Sequence, residues 1–270
     1  MANVQTYVIP PTEFPLQKVP DRAATKDVVQ RIPPAVYQTW VNDEVGKTHA
    51  REIAKFRDLN PELSFTLFTH PQRDAYMREH WGSHPIHSIY QRLTFGASQA
   101  DVFRYCILFE RGGYYFDISK GVAVPLVSLH PRTASALIAY ESHKCQDSPA
   151  PSIADWFTHP NNFVLQWGFG FEKGHSILRC MIDNICANAE QYAGTVIAVP
   201  KIGIVMLTGT AMFTAALRDA VAQGNVGEVT QAGVDFNGQG IFEMPGSQVR
   251  YLTVPAYDHV RNAVILKGIV

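Results

Sequence analysis

The chain has 270 residues, 46% hydrophobic and 11% aromatic, enough to bury one large core, which excludes a mini-scaffold or a disordered tail. Charged residues make up 17%, and 23 basic side chains nearly cancel 24 acidic ones, so composition leaves no footprint for duplex nucleic acid or an anionic membrane. Ten histidines exceed average usage, which makes metal and proton chemistry worth looking for.

Met1 is followed by Ala2 and Asn3, and the first basic residue is Lys18, so the charged and apolar regions of a secretory signal are missing and the expectation is a cytoplasmic protein. Six of the seventeen prolines (Pro10, Pro11, Pro15, Pro20, Pro33, Pro34) fall in the first 34 residues. Proline neither continues a helix nor sits in a central strand, so residues 1–31 are read as an extended arm. Ala35 to Trp40 then predicts a strand. Glu44 to Leu59 predicts a helix with Ala50, Ile53 and Ala54 inward, stopped by Asn60-Pro61. Ser64 to Phe68 reads as a strand, and Thr69 as the cap of the helix that follows.

Ser98 opens a helix whose apolar positions Ala100, Phe103, Cys106, Ile107 and Leu108 recur at helical spacing, and Gly112-Gly113 ends it. Tyr114 to Ile118 follows as an aromatic and β-branched strand. Three β-runs separated by helices argue for an α/β fold with a central, mostly parallel sheet, which binds ligands outside the carboxyl ends of its strands. Further strands are expected at Ala136 to Tyr140, Phe163 to Phe171 and Val249 to Val254, and helices at His175 to Tyr192 and Thr210 to Ala222. Gly233 to Gly246 reads as a mobile or turn-rich loop. Ile202 to Leu217 lacks charge for 16 residues but is interrupted by Gly203 and Gly209, too short to span a bilayer.

Several motifs fail. Gly46-Lys47-Thr48 resembles the end of a phosphate loop, but Val41 stands where the first glycine belongs, and Asn42-Asp43-Glu44 would repel phosphate. Gly168, Gly170 and Gly174 miss the dinucleotide spacing by one residue. His80, His84 and His87 are spaced like ligands, yet Gly82 and Pro85 between them favour a solvated loop over a zinc site. The four cysteines (Cys106, Cys145, Cys180, Cys186) form no CxxC pair and read as reduced thiols.

Asp101 and Arg104 stand three residues apart, so they meet on one helical face. Alone they fit either a ligand-holding pair or a plain capping box opened by Ser98. Asp117, at the carboxyl end of the Tyr114 strand, shares the face of Tyr115 and Ser119 by alternation. A carboxylate ending an apolar strand offers nothing to packing, and its burial is compensated only by a cation or a ligand.

The run from Ala100 to Tyr105, then Gly112 to Ile118, resembles the centre of the DXD-containing sugar-transferase family 32 glycosyltransferases. That family includes initiating α-mannosyltransferases of yeast and bacterial capsule and lipopolysaccharide enzymes, and is distantly similar to the glucosylating clostridial toxins. Ile32 to Trp40, Asn60-Pro61-Glu62 with Phe65 to Phe68, Asn161-Asn162-Phe163, Lys173-Gly174-His175 and Thr208-Gly209 extend the likeness over roughly residues 32–217. It implies a GT-A fold over residues 32–270, with a nucleotide-sugar half near 32–125 and an acceptor half near 126–270. It also implies a UDP- or GDP-sugar donor, a divalent metal (Mn2+ or Mg2+) and retention of anomeric configuration.

By the same resemblance Trp40 matches the aromatic that stacks on the base, with a core residue closing the strand as the lesser alternative. Tyr37, Gln38, Thr39 and Tyr115 join it as donor-binding residues. Asp101 and Arg104 match the pair that holds the donor's sugar, and Asp117 the first acid of DXD; these three are the expected catalytic residues. Where the family places its second acid this chain has Ser119, followed by Lys120. Weaker metal binding, a third ligand such as His259 or Asp258, or a catalytically silent sugar-binding module all follow from that departure. Lys120 is either a solvated surface lysine or a partial substitute for metal charge.

The expected function is hexose transfer to a glycan or lipid-linked glycan acceptor in surface polysaccharide or lipopolysaccharide synthesis. No nucleic-acid partner and no transmembrane segment are expected, and a peripheral membrane association is compatible with such an acceptor. A toxin-like protein glycosyltransferase is the alternative enzyme.

Overall fold

The computed structural model describes residues 10–248 and 257–269. Its frame is a seven-stranded mixed sheet built mainly from the runs that the sequence marks. In chain order the principal elements begin with β1 (Ala35–Trp40), α1 (Lys47–Asp58), β2 (Ser64–Thr69), α2 (His70–Trp81), α3 (Pro85–Arg92) and α4 (Gly96–Arg111). They continue with β3 (Gly113–Phe116), β4 (Gly121–Val122), β5 (Ala136–Lys144), β6 (Asn162–Val164), β7 (Gly168–Phe171) and α5 (Ser176–Asn188). The last are α6 (Pro200–Leu207), α7 (Thr210–Ala222), β8 (Val229–Val234) and β9 (Gly240–Ile241). The sheet order is β8-β5-β7-β3-β1-β2, with β6 beside β5. β1 pairs in parallel with β2 and β3, and β8 with β5, whereas β7 runs antiparallel to both β3 and β5. The carboxyl ends of β1, β2, β3, β5 and β8 therefore open on one edge, and β7 begins there.

The reversed strand explains the glycines that a dinucleotide motif does not. In the β3–β7 ladder Tyr114 faces Gly170 and Phe116 faces Gly168. A Cβ on Gly170 would lie 2.5 Å from the Tyr114 ring and one on Gly168 2.6 Å from the Phe116 ring. On the opposite face Tyr115 stands against Phe169. Rings lie over bare backbone on one side of the sheet and against rings on the other, so both faces are filled without voids. α4, α5 and α7 cover the Phe169 face, and the Phe116 face packs with Phe56 and Phe65.

Several expectations are corrected. α1 starts at Lys47 after a short strand at Glu44–Val45, and it buries His49, Ile53, Phe56 and Arg57, leaving Ala54 outside. The Phe163 to Phe171 run is two strands, because Leu165-Gln166-Trp167 breaks the ladder between them. The helix expected at His175 to Tyr192 ends at Asn188 and continues as a 3-10 turn. His80 lies on α2, where its ring faces Glu110 at 2.8 Å, and His87 lies on α3, so of the three only His84, the N-cap of α3, stands in the connection between the helices. The expected strand at Val249 to Val254 lies outside the described residues.

Thr69 caps α2 as expected, in a reciprocal capping box with Gln72. Pro200–Ala222 is long and apolar enough to cross a membrane by length and composition, but it is more than half buried and is divided into α6 and α7 at Thr208-Gly209. The arm lies against the domain: Gln17–Lys18 pairs with Glu44–Val45, and Arg22 forms a bridge with Phe65.

Residues 233–246 are turn-rich. At the carboxyl end of β8 the chain makes a left-handed turn, with φ of 46° at Asp235, 55° at Phe236, 56° at Asn237 and 78° at Gly238. β9 then pairs antiparallel with β4, laying the segment over the turn that follows β3.

Candidate functional site

The site is organised by α4. Its amino-terminal cap is Phe95, and Ser98 Oγ donates to the Phe95 carbonyl at 2.8 Å, so the capping box that Ser98 and Asp101 would form is not made. Asp101 is released to face inward. Gln166 Nε2 donates to its Oδ1 at 2.8 Å and Thr208 Oγ1 to its Oδ2 at 2.8 Å. Arg104, one helical turn on, brings Nη2 to 3.0 Å from Asp101 Oδ1 and 3.3 Å from Asp117 Oδ1. Its Nη1 donates to the Gln166 carbonyl at 2.7 Å, and its guanidinium lies 4.5 Å from the centre of the Tyr115 ring.

Asp117 follows β3 directly, and its amide donates to the Trp167 carbonyl at 2.9 Å. Tyr115 Oη donates to Asp117 Oδ1 at 3.0 Å. Asp101 and Arg104 are sealed beneath the surface, whereas the Asp117 side chain is 33% exposed and presents the cluster to solvent. Burial pushes the Asp101 carboxyl up to about 6, against the pull of Arg104 and of the bonds from Thr208 and Gln166. Burial alone would lower the Arg104 guanidinium, but Tyr115, Asp117 and Asp101 around it outweigh that and raise it.

The other expected residues separate. Trp40 ends β1 at the same edge as Asp117 and is half-buried. Tyr37, Gln38 and Thr39 are interior: Tyr37 packs on Phe68, Gln38 Oε1 lies 3.4 Å from Arg57 Nη2, and Thr39 Oγ1 donates to the Phe68 carbonyl at 2.8 Å. Their side chains serve the sheet. Tyr115 is also buried and acts from below, by holding Asp117 and underlying Arg104. The sequence reading missed Gln166 and Tyr105, and took Thr208 only as a helix opening. Tyr105 Oη lies 3.1 Å from Gln166 Oε1 and 2.9 Å from the Thr208 carbonyl oxygen, so its one proton is shared between the two residues that donate to Asp101. Its place four residues after Asp101, on the same helical face, was the available signal.

The expected metal ligands are Asp117, Ser119 and His259. A hard divalent cation takes six or more oxygen ligands, preferably anionic ones. Here Asp117 Oδ1 already holds Arg104 and Tyr115, Ser119 is a neutral hydroxyl on a 2% exposed residue, and the next residue, Lys120, is a cation. The His259 side chain is 86% exposed, with Asp258 Oδ1 at 3.7 Å. No group of three or more histidine, cysteine, aspartate or glutamate side chains suited to a metal occurs among the described residues. Among the described residues this donor set falls short of the oxygen shell of a resident divalent cation.

A mostly parallel sheet with a carboxylate ending its central strand, fed from a buried aspartate–arginine pair, is the arrangement of a GT-A fold. The glycosyltransferase structure titled PaToxG Glycosyltransferase shares that fold, with a TM-score of 0.51 at 14% identity over 72% of this chain and 71% of that one. Residues 46–136 match the family described as "Glycosyltransferase sugar-binding region containing DXD motif". The Initiation-specific alpha-1,6-mannosyltransferase of Candida albicans is 27% identical over 172 residues, 59% of this chain and 44% of that protein. Inositol phosphoceramide mannosyltransferase 3 of Schizosaccharomyces pombe is 28% identical over 163 residues, 60% of this chain and 39% of that protein. The chain thus matches less than half the length of either relative.

Proposed function

We propose that this chain is a retaining glycosyltransferase that moves a hexose from a UDP- or GDP-sugar to a glycan or lipid-linked glycan acceptor, in the assembly of surface polysaccharide. The observation that carries the reading is the Asp101–Arg104–Asp117 cluster at the carboxyl edge of the sheet, inside the region that matches the sugar-binding family. The mannosyltransferase names of the relatives support a hexose as the group transferred.

The chemistry fits these side chains. Asp117 offers acceptor oxygens for sugar hydroxyls, and Arg104 fixes its direction with a forked donor. Asp101, held by Gln166 and Thr208, keeps the guanidinium from turning away. The site is preorganised, so little reorganisation is needed when charge develops on the leaving diphosphate. Attack on the same face of the sugar lets the leaving phosphate take the acceptor's proton, which requires no separate base.

The test is hydrolysis of a panel of UDP- and GDP-hexoses, with thermal shift, on the wild type and on Asp117→Ala. The expected result is a donor-specific shift and a loss of hydrolysis by about two decades in the variant. Absence of any nucleotide-sugar binding, or an unchanged variant, would sink the assignment.

A further inference from the structure

We propose that the cavity between the amino-terminal arm and α1 binds a short aliphatic carboxylate, whose head pairs with the buried Arg57 guanidinium. The cavity lies on the Phe116 face of the sheet, the face opposite α4, and the inference stands apart from the donor reading.

The first observation is the space. Val19 and Pro20 of the arm face Ala50, Ile53 and Ala54 of α1 across a cavity of about 300 Å³. That volume is at the lower end of small-molecule sites, and these walls are aliphatic, as in most such sites. The charged side chains that line it are Lys18, Asp21, Arg22, Arg57 and Asp58.

The second observation is the state of Arg57. Burying an arginine without an anion is costly, because the charge leaves water and gains no partner. Among the described residues three arginines are buried, Arg57, Arg73 and Arg104. Arg73 has Asp74 at 3.5 Å and Arg104 has Asp101 at 3.0 Å, whereas Arg57, only 5% exposed, forms no ion pair among the described residues. Its Nη1 donates to the Pro20 carbonyl, and its Nη2 lies 3.4 Å from Gln38 Oε1, too long for a strong hydrogen bond. Arg57 Nε and Gln38 Nε2 are both buried with no hydrogen-bond partner. Burial pulls the guanidinium down to about 10, against the attraction of Asp21. Two idle donors and one uncompensated cation beside an open space call for an acceptor that carries negative charge.

The third observation is the charge around it, which sets the head of the ligand. Arg22 is answered by Asp58 at 2.9 Å, and Lys18 by Asp43 at 3.4 Å. Asp21 remains, and its Oδ1 accepts from the Leu67 amide at 2.9 Å. Arg57 is thus the cation of this lining without an ion pair, and Asp21 near it repels a second negative charge on any occupant. That balance favours a carboxylate, with one charge, over a phosphate, which carries up to two. Carboxylate oxygens also match the planar fork of a guanidinium, and the aliphatic walls take a short hydrocarbon tail. One wall and the Pro20 carbonyl belong to the arm, so an occupant joins the arm to the helix.

The experiment is thermal unfolding of the purified chain with butyrate, hexanoate, hexanamide or inorganic phosphate, each at about 10 mM. Butyrate or hexanoate should raise Tm by about 2 °C or more, and hexanamide and phosphate by less than about half as much. Arg57→Met removes the charge and keeps a chain of similar reach. Its Tm without ligand should lie within about 3 °C of the wild type, and the carboxylate shift should vanish. Ala54→Phe, at an exposed position of α1 that lines the cavity, fills the space and leaves Arg57 in place. It should fold like the wild type and lose the shift as well. A carboxylate shift that is missing in the wild type, matched by hexanamide or by phosphate, or retained in either variant overturns the inference. If Arg57→Met does not fold, Ala54→Phe decides: loss of the shift supports the site and its persistence overturns it.

Discussion

Arg73 and Arg104 are both buried arginines on helices that flank the sheet, and they are used in opposite ways. Arg73, on α2, donates to Tyr90 Oη at 2.8 Å and Gln99 Oε1 at 3.0 Å, and its one anionic neighbour, Asp74, is 3.5 Å away with a largely exposed side chain. Its Nη1 has no hydrogen-bond partner among the described residues. Arg104 lies between two carboxylates, one sealed with it and one at the surface, and its ring neighbour Tyr115 holds the outer carboxylate in place. A structural arginine tolerates neutral partners and even an unused proton. One that must orient an exposed carboxylate is surrounded on every side.

The contrast breaks most sharply at Arg104. Arg104→Ala leaves Asp101 buried without its cation, and a loss of about 3–5 kcal/mol is expected in urea denaturation, with donor hydrolysis abolished. Stability within about 1 kcal/mol of the wild type would mean that the carboxylates do not depend on it. Asp101→Asn removes the charge but keeps the shape. Transfer should fall by about two decades, on the scale of one positioned electrostatic contact, with the fold intact. Unfolding in place of inactivation would return Asp101 to a purely structural role.

Protonation probes the same residue. The folded-state pKa of Asp101 is raised from 3.8 to about 6, so between those values the native protein binds a proton that the unfolded chain has released. This group's contribution to stability is therefore favourable at low pH and is lost as pH rises from about 4 to about 6, while the ionised form that engages Arg104 accumulates. Hydrolysis should consequently rise with pH through the region near 6, and the Asp101→Asn variant should lack that step. A wild-type profile flat from pH 5 to 7 would contradict the assignment.

Away from the charges, Gly170→Ala forces a methyl to within 2.5 Å of the Tyr114 ring, and a loss of about 1–3 kcal/mol in thermal or urea denaturation is expected. The smallest effect belongs to the other arginine. Arg73→Met replaces a weakly partnered charge with an apolar chain of similar length, and stability should change by about 1 kcal/mol or less with hydrolysis preserved. A loss of hydrolysis comparable to Asp101→Asn would erase the distinction between the two sites.

Local pattern made much of this legible. The strands at Ala35 and Ser64 and the helix ending at Gly112-Gly113 follow from periodicity and from glycine at positive φ, 68° at Gly112. Asp101, Arg104 and Asp117 stood out because charge in an apolar context is expensive. Gln166 and Thr208 did not, since neutral polar side chains between elements carry no periodic signature and reach Asp101 from 65 and 107 residues away. The reversed strand at Gly168 was hidden for a related reason. Its alternation of glycine and phenylalanine makes sense only opposite Tyr114 and Phe116, which is information held by another segment. The interior placing of the Tyr37, Gln38 and Thr39 side chains was not legible, because a strand that ends at a site still buries most of its length.

The left-handed turn at Asp235, Phe236 and Asn237 inverts the ordinary rule for protein engineering. Each L-residue held there costs about 1–2 kcal/mol relative to a right-handed conformation, and Phe236, fully buried against Phe116 and Trp167, anchors the turn. The aromatic layer beneath the motif strand thereby works against a wound segment at the end of β8. Glycine, which weakens most secondary structure, would relax this one. A library that sampled it at Asp235 would be selecting for thermal tolerance at the rim of the site, where randomisation ordinarily sacrifices it.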